Sequence, residues 1–166
     1  MPTETEKRVL NLLSSTDLPP GTDPGKLIES WGNEAVTVAC EIAMGSYPGL
    51  QRKIRTNAVA MLETVDRTQA RETIALLVSD PNPDVAIRAL RAAAGQKNAA
   101  VVGSLRRLLQ SPWSSPLVAA ETVQALIAIG TPEARQTLNE YESVNPVIVP
   151  HRADELVTRF LRERQN

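Results

Sequence analysis

A chain of 166 residues, 42% hydrophobic and 22% charged, is long enough for one domain built on a single core. Aromatics make up only 3% and alanine is plentiful, which suits closely packed helices and argues against a sandwich or barrel. The formal net charge of -1 argues against a general binder of nucleic acid, because phosphate contacts need a basic excess.

Residues 4–14 read as a short amphipathic helix with Val9, Leu10 and Leu13 on one face and Glu4 and Glu6 in the first turn. Ser14 to Gly25 is a turn-rich linker. Asp23-Pro24 then caps and starts a helix lined by Leu27, Ile28 and Trp31. Gly32-Asn33 restarts the chain into Glu34–Met44, whose apolar run holds the single cysteine, Cys40. One cysteine excludes an intramolecular disulfide, and its setting predicts a small buried hydrophobe. After the break at Gly45–Gly49, Leu50 to Val65 is expected to be helical. Leu50, Ile54, Ala58, Met61, Leu62 and Val65 point inward in this reading, and Arg52, Lys53 and Arg55 outward.

The helix of Arg67–Ser79 carries Ala70, Ile74, Leu77 and Val78 on one face. Asp80-Pro81-Asn82-Pro83 breaks it and sets up the next, since neither proline donates a backbone hydrogen bond. Val85, Ala89, Ala92 and Ala93 then recur at helical spacing, and Gly95 is expected to end the run. Such small residues admit a close neighbour, and the preceding and following helices are the expected ones. Asn98–Gln110 buries Val101, Val102, Leu105, Leu108 and Leu109, with Arg106-Arg107 turned away. Beyond the Ser/Pro turn at 111–116, Leu117–Ile129 is apolar almost all round and predicts a helix covered on several sides. Thr131-Pro132 starts a further helix with Ala134, Leu138 and Tyr141 inward. Ser143 to Pro150 reads as extended, and His151–Arg164 as a last helix that covers the end of the array.

These helices pair, and the pairs recur. With Ile54, Val85 and Val118 in register, Ala58, Ala89 and Thr122 coincide, as do Val59, Leu90 and Val123, and Leu62, Ala93 and Leu126. Spacings of 31 and 33 residues mark a helical solenoid, in which each two-helix unit buries its apolar face on its neighbours. The expected fold is all-α: a right-handed α-solenoid of about four helix pairs with extra N-terminal helices. Residues 1–22 would form an N-terminal helix and Pro-rich linker, and residues 23–166 the repeat domain.

The unit Leu76-Leu77-Val78-Ser79-Asp80-Pro81-Asn82-Pro83-Asp84-Val85, followed by Ala89, Ala93 and Gly95, resembles the HEAT repeat, especially the short bacterial form of phycobilisome-lyase-type proteins. The resemblance covers about residues 33–142. It implies protein–protein binding along a face formed by the second helix of each pair. The family usually places an arginine directly after the valine, paired with the turn aspartate of an adjacent repeat. Here Ala86 stands at that position and arginine comes at Arg88, and the unit around Ile54 lacks the turn aspartate. Packing is therefore expected to do more of the holding than a polar ladder between repeats.

No glycine-rich phosphate loop, Cys/His metal spacing or Ser–His–acid order is present, so the expectation is a non-enzymatic protein without cofactor or metal. The lone His151 at a helix start fits a capping or exposed role. Arg55, Arg88 and Arg91 are candidate partner-binding groups, and Glu121 and Gln124 continue their surface on the next helix. The structural alternative is an ordinary Asp84–Arg88 pair one helical turn apart. A surface of mixed sign suits a protein better than phosphate. Trp113 in the Ser/Pro turn either folds back over helix ends or anchors a partner. The partner expected is a protein. The alternatives are a nucleic-acid-binding HEAT-like protein and, by resemblance alone, a bilin-lyase or chaperone-like protein. No signal segment and no membrane-length apolar run is visible, so the reading is cytoplasmic. A monomer is expected, with the N-terminal helix capping its own array. A dimer swapped through that helix is the other arrangement.

Overall fold

The computed structural model describes residues 2–15, 18–111 and 115–144, and all the regular structure in them is helical. The expected capping of the array by residues 151–164, the role of His151 and the two readings of Trp113 lie outside these residues.

Local sequence sets most of the helix ends. Helix α1 (Glu4–Ser14) opens with a capping box, in which Thr3 Oγ1 accepts from the Glu6 amide while the Glu6 carboxylate accepts from the Thr3 amide. In α2 (Pro24–Ser30), Asp23 Oδ1 accepts from the Gly25 and Lys26 amides at 2.9 and 3.1 Å, and Pro24 takes the first helical position. Helix α3 (Asn33–Met44) ends at Gly45 in the left-handed conformation (φ 82°), which glycine adopts without steric cost. Helix α4 (Arg52–Leu62) starts two residues later and stops three earlier than the periodicity predicts, and α5 spans Thr68–Leu77.

In the turn before α6 (Pro83–Gly95), Asp80 Oδ1 accepts from the Asn82 amide at 2.9 Å. Asn82 in turn caps the helix through the Asp84 amide at 3.0 Å. Gly95 is the last residue of α6, as the sequence predicts, and the left-handed residue comes two positions later at Lys97 (φ 48°). The Gln96 and Asn98 side chains close this turn by donating to the Leu62 and Arg71 carbonyls at 2.9 and 3.1 Å. A short 3-10 turn, Ala99–Val101, leads into α7 (Val102–Gln110). Then come α8 (Pro116–Ile129) and α9 (Pro132–Val144), so Ser143 and Val144 extend a helix where an extended segment was expected.

The pairs are α3/α4, α5/α6 and α7/α8, with α9 as the first helix of a further unit. Second helices stack on second helices: α6 packs chiefly against α8 and α4, then against its own partner α5. Helix α7 packs on α8 and α9 and is not a main neighbour of α6, contrary to expectation. Stacking like on like explains this, since the alanine face of α6 meets the equivalent faces above and below. Val85, Ala89, Leu90, Ala92 and Ala93 are fully buried there. Helix α8 is covered by α6, α7 and α9, as its nearly all-round apolar sequence requires. Val9, Leu12 and Leu13 of α1 enter the same core, against α3 and α4. Leu12 replaces Leu10 in that face; Leu10 is half-buried.

A polar ladder between units is present beside the packing, although the sequence departs from the family pattern at Ala86. Arg55 reaches Asp80 (25 residues on), Arg52 reaches Asp84 (32), Arg91 reaches Glu121 (30) and Arg106 reaches Glu140 (34). The arginine–aspartate pairing that the resemblance implies occurs one unit earlier than Val85. Arg55 directly follows Ile54, the register mate of Val85, and its partner Asp80 is the turn aspartate of the next unit. Arg106, expected to turn away, therefore faces α9.

Candidate functional site

The second helices α4, α6 and α8 each bury one side and leave the other open. On α6 the open side carries Asp84, Arg88 and Arg91, all exposed, with Ile87 half-buried between them. On α8 it carries Leu117, 62% exposed despite its size, then Glu121 and Gln124. On α4 it carries Arg52 and Lys53, with Thr56 half-buried. Lys53, Asp84 and Leu117 each sit one residue before the register positions Ile54, Val85 and Val118, so the three helices present one continuous face.

Of the residues singled out in the sequence, the structure brings four together here: Arg88, Arg91, Glu121 and Gln124. Arg91 and Glu121 bridge α6 and α8, with Nε donating to Oε2 at 3.2 Å and Nη2 to Oε1. The Glu121 hydrogen bonds raise the Arg91 pKa further above its ordinary value. The expected Asp84–Arg88 pair does not form, because Asp84 turns to Arg52 at 3.2 Å.

Arg55 does not belong to this face. Its Nη2 lies 2.5 Å from Asp80 Oδ2, its Nε donates to the Ala43 carbonyl at 2.8 Å, and only 24% of its side chain is exposed. The guanidinium thus closes the end of α3 and the turn before α6 at once, which leaves it little to offer a partner. Lys53 faces outward as the sequence predicts, whereas Thr56, Ile87 and Leu117 are face residues that the sequence did not single out. The three-way register held the signal for them, one step before and two steps after the positions used to draw it.

Between α4 and α6 the face sinks into an open groove of about 480 Å3, lined by Arg52, Lys53, Thr56, Asp84, Ile87 and Arg88. Arg52 is neutralised by Asp84, whereas Lys53 and Arg88 form no ion pair among the described residues. No group of three or more His, Cys, Asp or Glu side chains suited to a metal ion occurs among the described residues. Cys40 is buried against Thr73, and burial pushes its thiol pKa up.

Residues 70–148 match the family model of HEAT repeats. This stretch of the chain is similar to HEAT repeats. The α3/α4 pair precedes it and continues the stack, α3 packing on α5 and α4 on α6. No curated protein matches the chain. Among the described residues no helix is long and apolar enough to cross a membrane.

Proposed function

We propose that this HEAT-repeat chain is a non-enzymatic scaffold that binds a protein segment along the face of α4, α6 and α8. The observation that carries the reading is that face itself. It is continuous across three stacked helices, mixed in sign, and leaves a leucine open to solvent among arginines. HEAT repeats in general mediate protein interactions. A binding surface gains from this mixture, because charged groups orient the partner while apolar groups supply desolvation.

Two further elements belong to the proposal. The packing of α1 on α3 and α4 of the same chain supports a monomer. A cytoplasmic setting is part of the same reading, and the lack of a membrane-spanning helix among the described residues is compatible with it.

The test is affinity capture from cells with the full chain, compared with the Arg88→Glu/Arg91→Glu variant and with Leu117→Asp. A partner held on this face is lost from both variants, while Leu117→Asp, at an exposed position without an ion pair, keeps a melting temperature near that of the parent. A set of partners retained by every variant would remove the face from consideration.

A further inference from the structure

The groove between α4 and α6 has a charge imbalance that the fold does not use. It holds three cationic side chains and one carboxylate, and Arg52 and Asp84 cancel each other at 3.2 Å. Lys53 and Arg88 remain, facing one cavity from two helices without an acidic partner among the described residues. Arg52 and Lys53 also stand in the first turn of α4, which has no acidic residue there and no side-chain cap. The helix dipole adds positive potential at that end. Beside these cations, the half-buried Ile87 and Thr56 give the groove a partly apolar wall.

We infer that this groove receives an acidic peptide segment, with a carboxylate seated between Lys53 and Arg88 and a neighbouring apolar side chain resting on Ile87. The inference rests on the scaffold reading and narrows it to one chemistry of partner. Charge complementarity selects the occupant. Two free cations match one or two carboxylates, and a peptide places a side chain on the same side at every second or third position. A nucleic-acid strand fits poorly. Its phosphates recur every few ångströms, and along this face they would meet Asp84 and Glu121.

Fluorescence polarisation of the full chain tests this, with a short fluorescein-labelled peptide of alternating Glu and Leu as the probe. The same peptide with Gln for Glu, and a labelled single-stranded oligonucleotide, are the controls. The acidic peptide should bind, more weakly as salt rises, and the Gln peptide should bind roughly tenfold less well. Lys53→Gln/Arg88→Gln should weaken the acidic peptide by a similar factor. Lys97→Gln, an exposed cation in the turn after α6, should leave it unchanged. Lys53 and Arg88 are exposed, so the double variant keeps the parental melting temperature. Equal affinity for the two peptides, no effect of the double substitution, or tighter binding of the oligonucleotide would each overturn the inference. Glu121→Lys/Gln124→Glu on α8 separates it from the broader reading. A captured partner lost on these α8 substitutions but indifferent to those in the groove leaves the scaffold standing and removes the acidic peptide. A partner indifferent to both sets removes the scaffold face itself.

Discussion

Arg55 and Asp80 tie three parts of the chain to one another. The Asp80 carboxylate accepts from both terminal nitrogens of Arg55, at 2.5 and 3.5 Å, and from the Asn82 amide at 2.9 Å. Arg55 Nε meanwhile satisfies the Ala43 carbonyl at the end of α3. With side-chain exposures of 24% and 9%, neither charge is well hydrated once its partner is gone. Arg55→Ala should cost about 2 kcal/mol. Asp80→Ala should cost more, because the Asn82 amide also loses its acceptor. Arg52 and Asp84 provide the contrast: at 71% and 55% exposure, removing either should cost less than about 1 kcal/mol. Urea denaturation of the four single variants measures the difference, and equal losses at the two pairs would refute it.

Gly25 should tolerate no side chain. It is buried where α2 meets the end of α4, and an added Cβ would overlap the Met61 carbonyl oxygen and Thr64 Oγ1. The Met61 carbonyl is backbone and cannot swing aside, so Gly25→Ala should lose about 1–3 kcal/mol. Gly103, in the first turn of α7, has nothing within 4 Å of the same position. Gly103→Ala should therefore gain about 0.5–1 kcal/mol by restricting the unfolded chain. Thermal melting of the two variants should move in opposite directions.

Asp23 should give the N-terminal region an acid-sensitive step. Burial alone would raise its pKa. Hydrogen bonds from Thr64 Oγ1 at 2.6 Å and from the Lys26 and Gly25 amides outweigh burial and hold it below the ordinary aspartate value of 3.8. A carboxyl with a depressed folded pKa stabilises fully above its unfolded pKa, and the contribution is lost as pH falls through the folded one. Asp23→Asn retains a capping oxygen but does not titrate. Its melting temperature should fall less steeply than that of the parent below about pH 4. Parallel acid limbs in the two proteins would count against this role.

Helix α1 should act as a cap on its own stack. Val9 and Leu13 are fully buried, the Asn57 side chain donates to the Leu13 carbonyl at 2.9 Å, and the Tyr47 hydroxyl donates to Glu6 at 2.7 Å. Leu13→Ala should cost about 3 kcal/mol. Deleting residues 1–22 should lower the melting temperature and start self-association, as the α3/α4 surface opens to water. Light scattering alongside melting checks both. A shortened chain that keeps its size and stability would show that α1 covers nothing of consequence.

The helices and their pairing were legible because prolines and glycines punctuate the sequence and the apolar residues keep a fixed register. Pro24, Pro83 and Pro132 each fall at the first position of a helix, as their missing amide requires. The side chains that leave the helix surface to reach another unit were harder to read. Arg55 was placed outward with Arg52 and Lys53. Periodicity assigns a residue to a face but does not say how far a long side chain reaches around it. Gly95 marks the end of α6, but the left-handed turn at Lys97 was not legible, since a non-glycine residue at positive φ carries no mark in the sequence. The candidate face was read in part. Arg88, Arg91, Glu121 and Gln124 follow from the register, but the groove beside Ile87 arises only when α4 and α6 are set together.

The spacing of the ion pairs has a consequence for how the chain is made. Each joins residues only 25 to 34 positions apart, and the main helix contacts stay within neighbouring units. A segment therefore needs little more than the next few dozen residues before all its final neighbours exist. At synthesis rates of about 5–20 residues per second, that wait lasts on the order of seconds. Assembly can then follow the growing chain off the ribosome, with α1 covering the first unit before the last has been translated.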